Sequence, residues 1–136
     1  MTPSSVPRIV VAAAVVRRGD TFLLTRRLKG THLEGLWEFP GGKCEPGEAL
    51  EACLRREIVE ELGVGAQVHH LLLSTEHTYH ASNGDPRHIE LHFFACDLDA
   101  DPHPRLGQEI RWASRGELRQ LDFPPADAEL IDLLTT

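Results

Sequence analysis

Three glutamates follow Arg56 in the run Arg56-Glu57-Ile58-Val59-Glu60-Glu61-Leu62-Gly63-Val64. At i, i+3 and i+4 of a helix, Glu57, Glu60 and Glu61 share one face. Gly63 is a C-terminal stop signal, so the acids fall in the last turns of that helix. Negative charge is misplaced there. The helix dipole is negative at that end, and each acid costs on the order of 0.3–1 kcal/mol. Glu57 and Glu61 also repel each other as an i, i+4 pair. A bound divalent cation reverses the sign of every one of these terms. Oxygen ligands with no histidine or cysteine among them suit Mg²⁺ or Mn²⁺ better than Zn²⁺. The plainer reading, a solvated acidic helix end, leaves the unfavourable dipole unexplained.

Positioning such acids requires a helix and a scaffold beneath it. Glu48 to Leu62 predicts the helix, with Leu50, Leu54, Ile58 and Leu62 as its buried stripe and Gly47 ahead of it. Ile9 to Val16 is β-branched and apolar and reads as a buried strand. Gly19-Asp20 turns the chain into a second strand, Thr21 to Thr25. A loop over Lys29 to Glu34 precedes a short strand, Leu36 to Phe39, which enters a Pro40-Gly41-Gly42 turn. Val68 to Thr75 and His88 to Leu98 predict strands joined through the turn signal Ala81-Ser82-Asn83-Gly84-Asp85-Pro86. Ile110 to Ala113 is a further strand, and Ser114-Arg115-Gly116-Glu117 has capping-box spacing. Pro125 to Leu134 closes the chain as a helix with proline at its start. The order implies a mixed sheet in an α+β or α/β sandwich.

A chain of 136 residues, without repeat or linker, fits one domain over residues 1–136 and can bury a core. A net charge of −7 argues against polymeric nucleic acid as partner, since that binding rests on basic patches. It leaves room for a small polyphosphate bridged to the acids by metal. The longest apolar run, Ile9 to Val16, is too short to span a membrane and lacks the features of a secretory signal. No membrane partner and a cytosolic location are therefore expected. Cys44, Cys53 and Cys96 show no metal-ligand spacing and an odd count, which reads as reduced thiols. His77, His80, His88 and His92 could meet across one hairpin, but without cysteine partners they read as exposed strand histidines.

The set Gly42, Glu48 and Arg56 to Val64 resembles the signature box of the Nudix hydrolases at every fixed position. Leu36-Trp37-Glu38-Phe39-Pro40-Gly41-Gly42-Lys43 resembles the MutT-like branch, which acts as 8-oxo-dGTP diphosphatases and CTP pyrophosphohydrolases. Asp122-Phe123-Pro124-Pro125-Ala126-Asp127 is similar to a second MutT-type signature. The resemblance implies an α/β/α sandwich with a mixed sheet and a catalytic loop-helix-loop at its edge. It implies a Mg²⁺-dependent enzyme, with Mn²⁺ as a substitute, that hydrolyses a nucleoside triphosphate substrate to the monophosphate and pyrophosphate. It also implies roles. Glu57, Glu61 and the carbonyl of Gly41 would hold the principal ion, and Glu60 a second ion or a water-mediated contact. Arg56 would orient the acids with Glu48 as its structural partner, and Lys43 would contact phosphate. Arg26, Phe39 and Asp127 match the positions that pack near the base.

Two departures stand out. Asp127 replaces an amide, and an ionised carboxylate only accepts hydrogen bonds. It would favour cytosine N4, guanine N1 and N2, or the N7–H of an 8-oxo purine. Leu106 stands where related chains often carry a loop glutamate, which leaves Glu61, Glu60 or Glu109 as general base. Alternatives within the same likeness are a hydrolase of nucleotide sugars or dinucleoside polyphosphates, and a non-catalytic nucleotide sensor. The intact glutamates argue against the sensor. Trp37 and Trp112 read as core or pocket-wall residues.

Overall fold

Alternation along one strand organises the molecule. In the computed structural model, which describes residues 8–81 and 83–136, β1 (Arg8–Arg18) lies at the centre of a seven-stranded mixed sheet. Ala12, Ala14 and Val16 point to one face and Ala13 and Val15 to the other, as a period of two demands. The first face packs on α1 (Leu50–Leu62) through Cys53, Leu54, Ile58 and Leu62. The opposite face packs on Leu118 of α2 (Arg115–Leu118) and on Leu130 and Ile131 of α3 (Ala128–Thr135). The result is the α/β/α sandwich.

Small alanines on β1 let its neighbours approach closely. β6 (Pro86–Leu98) runs parallel to β1, from Arg8↔His88 to Val16↔Cys96, and pairs in turn with β5 (Ala66–His80). β5 reaches five residues beyond the expected Thr75, because its polar residues still form ladder pairs with β6 out to His80↔Pro86. Ser82, in the intervening turn, lies outside the described residues. β2 (Thr21–Arg26) pairs with β3 (Trp37–Glu38) and with β7 (Ile110–Ser114). The expected capping box is present at α2, where Ser114 and Glu117 satisfy each other's backbone N–H groups.

The Pro40-Gly41-Gly42 segment departs from the expected turn. Gly41–Lys43 forms β4, antiparallel to β1 through Ala13↔Gly41 and Val11↔Lys43. Glycine composition suggests a turn, but here it serves close packing. A Cβ on Gly41 would lie 2.1 Å from the carbonyl oxygen of Ala12. The last helix also differs in detail, opening with a 3₁₀ turn at Pro125–Asp127 before α3 begins. Among the described residues no helix is long and apolar enough to cross a membrane.

Candidate metal centre and adjoining cavity

Arg56 is the hub of the acidic cluster. Its Nε and Nη2 donate to the two carboxylate oxygens of Glu48, each at 2.9 Å. Nη1 donates to Glu57 at 2.9 Å and more distantly to Glu60 at 3.4 Å, and Nη2 reaches the carbonyl of Lys43 at 3.2 Å. One planar cation thus ties β4, the loop before α1 and the acids of α1 together. Glu48 also accepts from the N–H of Glu45. The Arg56 hydrogen bonds hold its carboxyl well below the usual range, at about 2.

The acids then divide. Glu57 folds back onto β4, where a Cβ on Gly42 would lie 2.4 Å from its carboxyl carbon. Glu61 is drawn inward beside the Gly41 backbone, which lowers its carboxyl against the larger effect of burial. Its Oε2 is buried with no hydrogen-bond partner among the described residues. Burial first, then the charges of Glu57 and Glu38, pushes its carboxyl up to about 8. Burial likewise raises Glu57. Glu60 stays outside this convergence, with its side chain 56% exposed. An orphaned carboxylate oxygen among further acids is expensive unless a cation completes it. The donor set is hard oxygen, and Gly41 and Gly42 leave the backbone uncovered beside it. These residues fit a divalent ion.

A second device repairs the helix end on which Glu61 sits. The loop after β6 folds back, and Arg105 N–H and Gln108 Nε2 both donate to the Glu61 carbonyl, at 3.1 and 2.9 Å. His103 N–H takes the Leu62 carbonyl, and Gly63 supplies the left-handed turn at φ 69°. Gln108 is buried, and its Oε1 accepts from Leu106 N–H. No sequence spacing announces that contact, which joins residues 47 apart.

Beside the acids lies a cavity of about 220 Å³. Gly41, Gly42 and Lys43 form its border with the acid cluster, and Val11, Leu91, Phe93 and Phe39 make an apolar wall. Phe123 stacks on Phe39 from behind at 5.8 Å. Asp127 closes one end. Its side chain is buried and makes no capping hydrogen bond at the start of α3, although the acid occupies the N-cap position. Burial and the nearby Glu38 push its carboxyl up to about 7. Asp127 near neutrality is therefore in part a carboxylic acid that donates as well as accepts.

Arg26 is a further correction. It lies outside the cavity, with Nε on the Gly35 carbonyl, Nη1 on Glu109 at 3.1 Å and its guanidinium over the Trp37 ring. Arg27, the next residue, lines the cavity and pairs with Glu38 at 3.5 Å. Strand alternation decides this: adjacent side chains leave β2 on opposite faces. No spacing in the sequence marks Glu38 as a site residue. It lines the cavity, and burial raises its carboxyl. Glu109 is held outward by Arg26, away from the cavity. The hairpin histidines His92 and His88 take hydroxyl partners, Ser74 and Thr78. The expectation of reduced thiols fails for two cysteines, because packing β4 on α1 joins Cys44 and Cys53 in a disulfide.

Comparison with known proteins agrees with this architecture. The profile of the NUDIX domain matches residues 7–134. The 8-oxo-dGTP diphosphatase of Escherichia coli (strain K12) is 32% identical over 126 residues, 91% of this chain and 94% of the relative. The CTP pyrophosphohydrolase of the same organism is 36% identical over 129 residues, covering 91% and 89%. Among solved structures, the E. coli ORF135 protein superposes with a TM-score of 0.78 at 36% identity, over 98% of this chain and 91% of that one.

Proposed function

This chain belongs to the Nudix family of hydrolases of phosphoric anhydride bonds, and we propose that it converts nucleoside triphosphates to monophosphates and pyrophosphate. The observation that carries the reading is the partnerless Oε2 of Glu61 beside Glu57 and the Gly41 backbone, at the border of a cavity ending in Asp127. Glu57, Glu61 and the Gly41 carbonyl would hold the ion, Mg²⁺ by the hardness of these donors, with Mn²⁺ able to replace it. When bound, the ion neutralises charge on the phosphates and acidifies a coordinated water.

The chain's own residues supply position. Arg56 fixes the Glu57 carboxylate, Lys43 offers a cation to the phosphates, and Phe39 packs on the base. Arg27 replaces Arg26 as the cavity's arginine. Glu61, or Glu60 at the edge of the cluster, accepts the proton of the attacking water, which adds to the β-phosphorus as the bond to the α,β-bridging oxygen breaks. Asp127 reads the base edge, favouring an 8-oxo-guanine or cytosine nucleotide over bases poor in N–H groups.

A panel of triphosphates, nucleotide sugars and dinucleoside polyphosphates with Mg²⁺ tests the reading. Equimolar monophosphate and pyrophosphate from a triphosphate supports it. Turnover confined to the other substrates, or none at all, overturns it. In ¹⁸O-water the label should appear in pyrophosphate, and label in the monophosphate would place the attack on the α-phosphorus instead.

A further inference from the structure

The Cys44–Cys53 disulfide, with Cα atoms 5.3 Å apart, sits at the joint on which the metal centre depends. Cys44 directly follows β4, which carries Gly41 and Gly42, and Cys53 lies on α1, which carries Arg56, Glu57 and Glu61. Cys53 Sγ is 3.8 Å from the Gly42 carbonyl and 4.0 Å from Arg56 Nη2. Neither sulfur has a part in the proposed chemistry. Their exposure differs: Cys53 is fully buried, whereas Cys44 is half-buried.

We propose that Cys44 is a thiol-modification site, with Cys53 as its resolving partner, through which small disulfides of the glutathione class set the order of the metal centre. Starting from the dithiol, the Cys44 thiolate attacks one sulfur of the small disulfide, forming a mixed disulfide and expelling one thiol. The Cys53 thiolate then attacks the Cys44 sulfur, closing the bond and expelling the second thiol. Two protein thiols are oxidised, one small disulfide is reduced, and the two protons leave on the departing thiols. The Gly42 carbonyl, 3.8 Å from Cys53 Sγ, lies where a reduced Cys53 thiol can donate to it. Once oxidised, β4 and α1 are covalently fixed beside Arg56. Reduction leaves the joint to the Arg56 hydrogen bonds and to β1–β4 pairing. The cross-linked form holds the Gly41 carbonyl and the two glutamates pre-organised.

This inference rests on the metal centre proposed above, and its test needs no nucleotide. The full chain is equilibrated across ratios of reduced to oxidised glutathione, alkylated in denaturant and weighed. The oxidised protein should take one label, on Cys96, and the reduced protein should take three. Metal-free oxidised protein should melt about 5–10 °C higher. Mn²⁺ binding followed by electron paramagnetic resonance should have its midpoint about threefold or more lower in the oxidised form. Cys44→Ser and Cys53→Ser should show the reduced-form midpoint under every condition, and Cys96→Ser should retain the response. Three labels at every ratio, or equal Mn²⁺ midpoints in two forms of demonstrated redox state, would overturn the proposal. Failure to hydrolyse any nucleotide would leave these readouts unchanged.

Discussion

Glu57 and Glu61 share a helix face with Glu60, yet their surroundings differ enough to give different outcomes on mutation. Glu57→Gln and Glu61→Gln preserve shape and remove charge, so each should lower kcat by about 10²-fold or more with the fold intact by circular dichroism. Glu61→Gln should raise the melting temperature of the metal-free protein, because it removes a buried acid with an orphaned oxygen. Near-normal turnover in both variants would remove the metal-centre reading. Asp127 allows a finer test. With a carboxyl near 7, the wild-type residue donates below neutrality and only accepts above it. Substrate ranking among cytosine, guanine and 8-oxo-guanine triphosphates should therefore change with pH by about tenfold in kcat/KM between pH 6 and 8.5. Asp127→Asn should hold one ranking throughout. A wild-type ranking independent of pH, with only stability altered in Asp127→Asn, would mark Asp127 as a structural acid.

At the scale of elements, the site is a contact between one short strand and one helix end. The two glycines of β4 serve different neighbours, and their variants should separate accordingly. Gly41→Ala drives a methyl into the backbone of β1, 2.1 Å from the Ala12 carbonyl oxygen, so it should destabilise the fold by several degrees in melting temperature. Gly42→Ala instead meets the far end of the Glu57 side chain, at 2.4 Å from its carboxyl carbon. That side chain can yield, so stability should change little while Mn²⁺ affinity and turnover fall about tenfold or more. The sequence disclosed α1 and its acids because a helix with a four-residue apolar repeat and a glycine stop is a local signal. Pairing of β4 with β1 was not legible, since Pro-Gly-Gly carries turn composition and only the opposite alanines reveal the close approach. The choice of Arg27 over Arg26 turns on which face each side chain leaves at the end of β2. Gln108 on the Glu61 carbonyl and Cys44 on Cys53 depend on packing between separate elements, which no local spacing encodes.

Over the whole molecule, the raised acids make stability and metal binding responsive to pH. Glu61, raised from 4.5 to about 8, and Asp127, raised from 3.8 to about 7, hold protons more tightly folded than unfolded. Their contribution to stability is complete below about pH 4 and is lost as pH rises through 7 and 8. Glu48 and Glu117, both lowered to about 2, act in the opposite sense, and their contribution is lost only as pH falls from about 4.5 towards 2. Metal-free protein should therefore melt highest near pH 5 and lose stability progressively towards pH 8.5. Saturating Mg²⁺ should flatten that decline, because the ion selects the ionised form of Glu61 and stabilises it. The same linkage requires proton release on binding. Close to one proton should leave per Mg²⁺ at pH 7, falling towards zero above pH 9, as read by titration calorimetry in buffers of different ionisation enthalpy. Glu61→Gln should bind more weakly and release few protons. A metal-free melting temperature flat from pH 5 to 8.5, together with no proton release at pH 7, would show that Glu61 is already ionised before the ion arrives.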